Sequence, residues 1–216
     1  RSDTIGTSTR FRLSPVTQLT FGVDETWYEA NDLFQTQRDT RNVRVGLQTD
    51  VTQTLVLNAS LGYTDIETDQ LGFISGSSGG TGSIGVVQTF QNGTASVDFD
   101  SSRNQNGSRQ TLTFGRQYVL PNGNLSASLG LTEGAGTGID WIANVTYSRQ
   151  LKSSNFNVSL RRAATTNNQS AEVIDTRLSL GYSHDIDTLS RINVTFDYGR
   201  TEDGGTGTTP TVDRTK

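Results

Sequence analysis

The charged residues that alternate with small ones along this chain are its first candidates for chemistry. At a period of two, Arg10, Arg12, Arg44, Arg109, Arg161 and Arg177 fall on the polar faces of their segments. So do Asp24, Asp98, Asp100, Asp140, Asp175 and Asp197. An ion-selective path needs an excess of one sign, and these residues are balanced, six against six. Balance favours Arg–Asp pairs that stiffen a wall, with a weakly selective polar lining for hydrophilic solutes as the functional reading. The residues around them, such as Asn58, Ser60, Gly62, Ser126, Ser128, Gly130, Asn157 and Ser159, are small and leave open space.

Signals for other chemistry are poor. The single histidine, His184, precedes Asp185, and Ser183 or Ser190 would be its nearest serines. Ser183 and His184 are adjacent on a strand and point to opposite faces, so no nucleophile–base pair forms between them. Gly80-Thr81-Gly82-Ser83-Ile84-Gly85 fits a glycine-rich phosphate loop in letters only. It reads as loop composition, because a nucleotide site needs a strand before it and a helix after it. Asp98/Asp100 and Asp185/Asp187 are paired acids without a calcium-loop pattern, so no metal site and no cofactor are expected. Asn-x-Ser/Thr sequons at Asn58, Asn144, Asn157 and Asn193 follow from composition. With no cysteine, thiol chemistry is excluded. A net charge of −4 leaves no basic footprint for nucleic acid.

The elements that must position these residues are strands. Asn155–Leu160 alternates strictly, as do the segments around Leu178-Ser179-Leu180 and Ile192-Asn193-Val194-Thr195-Phe196. Twelve strands are predicted, over 5–13, 18–28, 41–48, 54–64, 83–90, 94–102, 109–119, 124–132, 139–150, 155–163, 171–184 and 191–200. Tight turns are expected after every odd strand, Asn92-Gly93 being the clearest. Longer loops are expected at 29–40, 65–82, 103–108, 133–138 and 165–170, the 65–82 loop ending in the low-complexity run 75–83. One β domain thus covers 1–202, followed by a flexible Gly/Thr-rich loop or tail over 203–216.

Only 31% of the residues are hydrophobic, Gly occurs 23 times and Pro 3 times, and the lysines are Lys152 and Lys216 alone. A soluble sheet would clothe its polar face in Lys and Glu; here that face is Ser, Thr, Asn and Gly. No apolar run approaches the ~20 residues of a membrane helix, but a barrel wall needs apolar residues only at alternate positions. Aromatic residues flank the apolar faces. Trp27, Tyr63, Phe99, Trp141 and Tyr198 lie toward the long-loop end, and Phe90, Tyr118, Tyr147 and Tyr182 toward the short-turn end. Glu25, Gln88, Arg116 and Arg149 break the apolar phase. Arg149 is near enough to a turn to snorkel, while Gln88 and Arg116 would mark bulges.

In this patterning the chain resembles bacterial outer-membrane β-barrel proteins as a broad class, over nearly its whole length. The resemblance implies an antiparallel up-and-down transmembrane barrel in the outer membrane of a Gram-negative bacterium. It further implies short turns in the periplasm and aromatic residues at the membrane interfaces. The balanced Arg and Asp residues would then line the lumen. Members of the class keep both termini in the periplasm and end on an aromatic residue, whereas this chain starts at Arg1 without a signal peptide and ends at Lys216. It therefore reads as a segment of a longer protein, with about 14 or more strands in the intact barrel. The expected role is a porin-like channel or export conduit for hydrophilic solutes. The alternative is an adhesive barrel whose long loops, 29–40 and 65–82, bind a partner. Expected partners are outer-membrane lipid, hydrophilic solutes, and a second copy of the chain or another envelope protein. A membrane hydrolase is disfavoured, and a soluble or fibrous β protein would need its apolar faces packed together.

Overall fold

A computed structural model of the chain describes residues 1–30, 36–134, 138–166, 172–187, 189–203 and 212–215. It is all-β. The strands are β1 (Ser2–Ser14), β2 (Thr17–Glu29), β3 (Gln37–Asp50), β4 (Leu55–Gln70), β5 (Phe73–Phe90), β6 (Gly93–Asn104), β7 (Gly107–Leu120), β8 (Gly123–Gly134), β9 (Ile139–Gln150), β10 (Ser154–Thr166), β11 (Glu172–Asp185), β12 (Arg191–Asp203) and β13 (Val212–Thr215). Their hydrogen-bonded order is their sequence order. The sheet is therefore antiparallel and up-and-down, as the alternation predicts. No pairing joins β1 to the last strands among the described residues, so the sheet is not closed.

The strands run past the predicted ends. Residues 65–82 are not a loop. β4 continues to Gln70, Leu71 and Gly72 turn the chain, and β5 starts at Phe73. Both turn residues have positive φ, 55° at Leu71 and 85° at Gly72, which matches a two-residue hairpin turn to the strand twist. The run 75–83 and its GxGxxG letters thus lie in a strand. Its glycines answer to close neighbours: a Cβ on Gly82 would meet the Ser60 carbonyl oxygen at 3.1 Å, and one on Gly79 would strike the Arg103 guanidinium. Residues 103–108 are likewise strand and turn, with Gln105 and Asn106 alone between β6 and β7.

The predicted alternation of short and long connections therefore disappears over β4–β7. It no longer assigns either end of the sheet to a side of a membrane. Of the other expected loops, 31–35, 135–137 and 167–171 lie outside the described residues, while β3 begins at Gln37 and so shortens the 29–40 connection. Within the span expected as a tail, Val212–Thr215 is a strand paired with β12 (Tyr198 opposite Thr215), and 204–211 lie outside the described residues.

The chain divides into two compact units. One comprises Arg1–Val87 with Asp98–Thr111, the other Gln88–Val97 with Leu112–Lys216, so β5, β6 and β7 contribute to both. In the first unit, register sets Leu19–Leu47–Ala59, Phe21–Val45–Leu61 and Val23–Val43–Tyr63 as successive rungs of one apolar face. That face is the open one. Leu61 is 75% exposed, whereas Ile66, on the opposite face of the same strand, is 5% exposed, and its same-face neighbours Thr64 and Thr68 are buried too. On β8 of the second unit Leu129 is 61% exposed and Thr132, on the other face, 5% exposed, whereas on β10 and β11 the polar-face residues Asn157, Ser159 and Ser179 are exposed and the apolar-face residues Val158, Leu160 and Leu178 half-buried. The apolar rungs of this unit are Leu125–Tyr147–Val158–Leu180–Phe196 and Ala127–Val145–Leu160–Leu178–Tyr198. Among the described residues the buried hydrophobic ones are Ile66, Val173 and Ile174. Many large apolar side chains are thus exposed, and most of the buried described residues are Thr and Gly.

Candidate functional site

The polar face is built by cross-strand hydrogen bonds between small side chains. Asp24, Asn42 and Thr64 stand opposite one another on β2, β3 and β4. The Asn42 amide donates to Asp24 at 2.8 Å, and its carbonyl accepts from the Thr64 hydroxyl at 2.7 Å. Ser60 and Ser83 share a 2.7 Å hydrogen bond. Arg44 reaches Asp24 at 4.0 Å. Its guanidinium lies over Gly22, where a Cβ would come within 3.0 Å of Nε.

In the second unit Arg177 pairs with Asp175 two residues away at 2.7 Å, and Thr201 donates to the same carboxylate at 3.3 Å. Among the described residues this is sparser than the network of Arg–Asp pairs that the balance of charge favours. Arg161 stands directly opposite Arg177, a like-charge arrangement that disfavours close pairing. Asp140 is engaged by Arg162 instead, at 3.6 Å. Arg10, Arg12, Asp98, Asp100, Arg161 and Asp197 form no ion pair with another described residue. Arg109 lies on β7.

Charge concentrates where the apolar rungs end. In the first unit the rung after Val23–Val43–Tyr63 is Glu25–Arg41–Asp65. Arg41 donates to Glu25 at 2.7 Å and to Asp39 at 3.0 Å, and these bonds, Glu25 first, raise its already high pKa. Glu25 therefore does not break the apolar phase. It marks the limit of the apolar band. Tyr63 and Phe99 are correspondingly mid-strand and not at strand ends, since β4 and β6 continue past them; Trp27 and Trp141 do lie near strand ends.

The second unit has its own rim cluster, centred on a residue that the phase analysis passed over. Arg162, with an 11% exposed side chain, stacks on Trp141 at 4.5 Å and bonds Glu202 at 2.8 Å and Thr176 at 3.1 Å. The Arg162 hydrogen bond is the main reason that the Glu202 carboxyl is held below its usual range. Its one signal in the sequence is its place two residues after Leu160, in the apolar phase.

At the opposite end, Arg116 lies over the rings of Phe90 (4.3 Å) and Tyr118 (4.5 Å) and donates to Asn92 at 3.1 Å. It is thus an apolar-face residue that reaches toward the turn. Tyr147 packs edge-on against Phe156 at 6.0 Å, and Tyr182 stacks on His184. His184 finds neither of the serines considered for it. Its Nδ1 lies 2.7 Å from Oγ of Ser154, the residue facing it on β10. Asp185, its neighbour in the chain, is paired with Arg191.

Among the described residues no cluster of His, Asp and Glu has a metal-binding arrangement, and no helix is long and apolar enough to cross a membrane, which says nothing of strands. The class that the fold defines is an all-β, antiparallel, up-and-down sheet with an apolar exposed face. No family model, curated protein or solved structure matches the chain.

Proposed function

We propose that this chain forms the wall of an outer-membrane β-barrel, or most of one, that serves as a passive, porin-like channel or export conduit for hydrophilic solutes. One observation carries the reading: many large apolar side chains lie exposed on one face of the strands, while most of the buried described residues are Thr and Gly. Burying one Leu or Phe side chain contributes about 1.5–3 kcal/mol, so a face of them exposed to water would forfeit the main driving force of folding. Lipid against that face restores it. On β4 the band runs from Leu55 to Tyr63, about 26 Å along the strand at ~3.3 Å per residue. Tilted by ~40°, it is about 20 Å high, close to the ~25 Å apolar band of such walls. Small residues on the other face leave room for water and solute.

The adhesive reading loses one of its two loops, because residues 65–82 form a hairpin of regular strands. No enzymatic activity is part of the proposal.

The deciding experiment is circular dichroism of the purified chain with and without detergent, paired with heat-dependent mobility on a denaturing gel and then planar-bilayer recording. A β spectrum that needs detergent, a compact band that shifts on boiling, and stepwise conductance are expected. A monodisperse β protein in plain buffer overturns the membrane reading. A folded barrel without conductance overturns the channel.

A further inference from the structure

We propose that the free edge of β1 pairs with the same edge of a second copy of this chain, across a two-fold axis at Ser8. The inference goes beyond the channel reading and stands apart from it, since an unpaired edge attracts a strand in water and in lipid alike. β1 heads the strand order, and every residue from Ser2 to Leu13 is exposed. At its start the Arg1 ammonium donates to the Glu29 carbonyl at 2.6 Å, and the Glu29 amide donates to the Arg1 carbonyl at 2.8 Å. Hydrogen-bonded pairs alternate along an antiparallel ladder. The odd residues of β1 therefore bond β2, and the even ones, Ser2 to Arg12, aim their N–H and C=O groups outward. Nothing in the strand blunts this edge: it holds no proline and no lysine, and its register shifts only past Arg12.

The residues of β1 match a second copy of themselves. With the axis at Ser8, Thr7 faces Thr9 and Ile5 faces Phe11 on the apolar face, and Gly6 faces Arg10 on the polar face. Threonine pairs and an aromatic residue beside a β-branched one suit facing positions. Running antiparallel also keeps Arg10 and Arg12 away from their own copies, which a parallel pairing would stack. Arg10 carries the specificity. Gly6 has no side chain and stands opposite Asp24 on β2, whose Cβ would lie 2.9 Å from any Cβ added at Gly6. The guanidinium of the second copy's Arg10 thus passes over Gly6 to the Asp24 carboxylate, two strand spacings or about 10 Å away. Arg44 already lies over Gly22 toward this carboxylate but stops at 4.0 Å, and the Asn42 amide engages only its other oxygen. Arg10 forms no ion pair with another described residue, so the two-fold supplies two Arg10–Asp24 pairs at once. The least matched rung, Asp3 opposite Leu13, falls at the ends, beside the register shift between Arg12 and Ser14.

The test uses the full chain in the medium, buffer or detergent, that keeps its β circular-dichroism spectrum. The chain has no cysteine, so engineered ones report alone. Thr7 and Thr9 of opposite copies form a non-hydrogen-bonded pair, whose Cα separation of ~4.5 Å suits a disulfide. Oxidising an equal mixture of Thr7→Cys and Thr9→Cys chains is expected to give a dimer on a non-reducing gel, with severalfold less from either variant alone. In sedimentation without oxidation, Arg10→Asp and Asp24→Arg should each raise the dimer Kd about tenfold, and the chain carrying both should recover it. Arg10 is exposed, so Arg10→Asp keeps its fold and its meaning even where Asp24→Arg unfolds. A folded mixture that stays monomeric shows that another strand closes this edge and overturns the proposal. Cross-linking that is equal in the mixture and in each variant alone overturns the axis at Ser8. An Arg10→Asp chain that dimerises like the parent overturns the pairing with Asp24. Detergent dependence is read separately, so failure of the membrane reading leaves this result intact.

Discussion

Arg162 shows how a single side chain can close a rim. Its guanidinium has Trp141 on one face and Glu202, Thr176 and Asp140 around its edge. Arg162→Ala removes the stacking, takes from Asp140 its ion-pair partner and leaves Glu202 with Arg200 alone. A loss of about 1–3 kcal/mol is expected, read as a lower urea midpoint in detergent, with Arg162→Lys restoring only part. Asp187 offers a test by pH. Two turn amides, Leu189 first and then Ser190, hold its carboxyl below the usual 3.8. The folded group is the stronger acid, so its contribution is present above the ordinary carboxylate range and is lost as pH falls through the lower folded value. Asp187→Asn should therefore lower the unfolding midpoint slightly near neutrality and flatten its acid branch, the two proteins converging at low pH. The sequence placed Asp140 and Arg161 on the polar face, but the partners of Arg162 come from strands far along the chain, and a period of two cannot register them.

The β4–β5 hairpin carries the element-scale lesson. Alternation identified β4 through Tyr63 because Leu55, Leu57, Ala59 and Leu61 alternate with polar residues. Beyond Tyr63 the outward positions become Asp65, Glu67 and Asp69, opposite Thr64, Ile66 and Thr68. With polar residues on both faces the signal vanishes, although the ladder to β3 continues through Asp69. Backbone pairing sets strand length there, and side-chain pattern does not report it. The tip is improvable. Leu71 sits at φ 55°, a conformation that costs an ordinary residue about 1–2 kcal/mol and Asn much less. Since Leu71 is already 59% exposed, Leu71→Asn should stabilise the protein by about 1 kcal/mol in thermal unfolding. Residues 65–82 should also resist limited proteolysis, where a free loop would be cut.

For the whole molecule, the position of its apolar surface gives the sharpest discrimination. Leu61 is open to its surroundings, so in a soluble sheet Leu61→Arg would be close to neutral. Against lipid the same change should cost about 2–4 kcal/mol at mid-depth, measured as the shift in unfolding midpoint in bilayers, while Ser60→Thr on the other face should change little. Which face is which was legible from the sequence, because a two-residue period survives every error in strand ends. Which strand ends would face which side of a membrane was not, because that reading hung on loop lengths that the longer strands erase.

Every ladder in this sheet joins strands that are consecutive in the chain, and this makes the fold additive. Strands inserted or removed in pairs leave each surviving neighbour antiparallel, with its rungs unaltered. The circumference of such a wall is an integer count of hairpins in its gene. Duplication or deletion can therefore rescale the structure without redesigning any part of it.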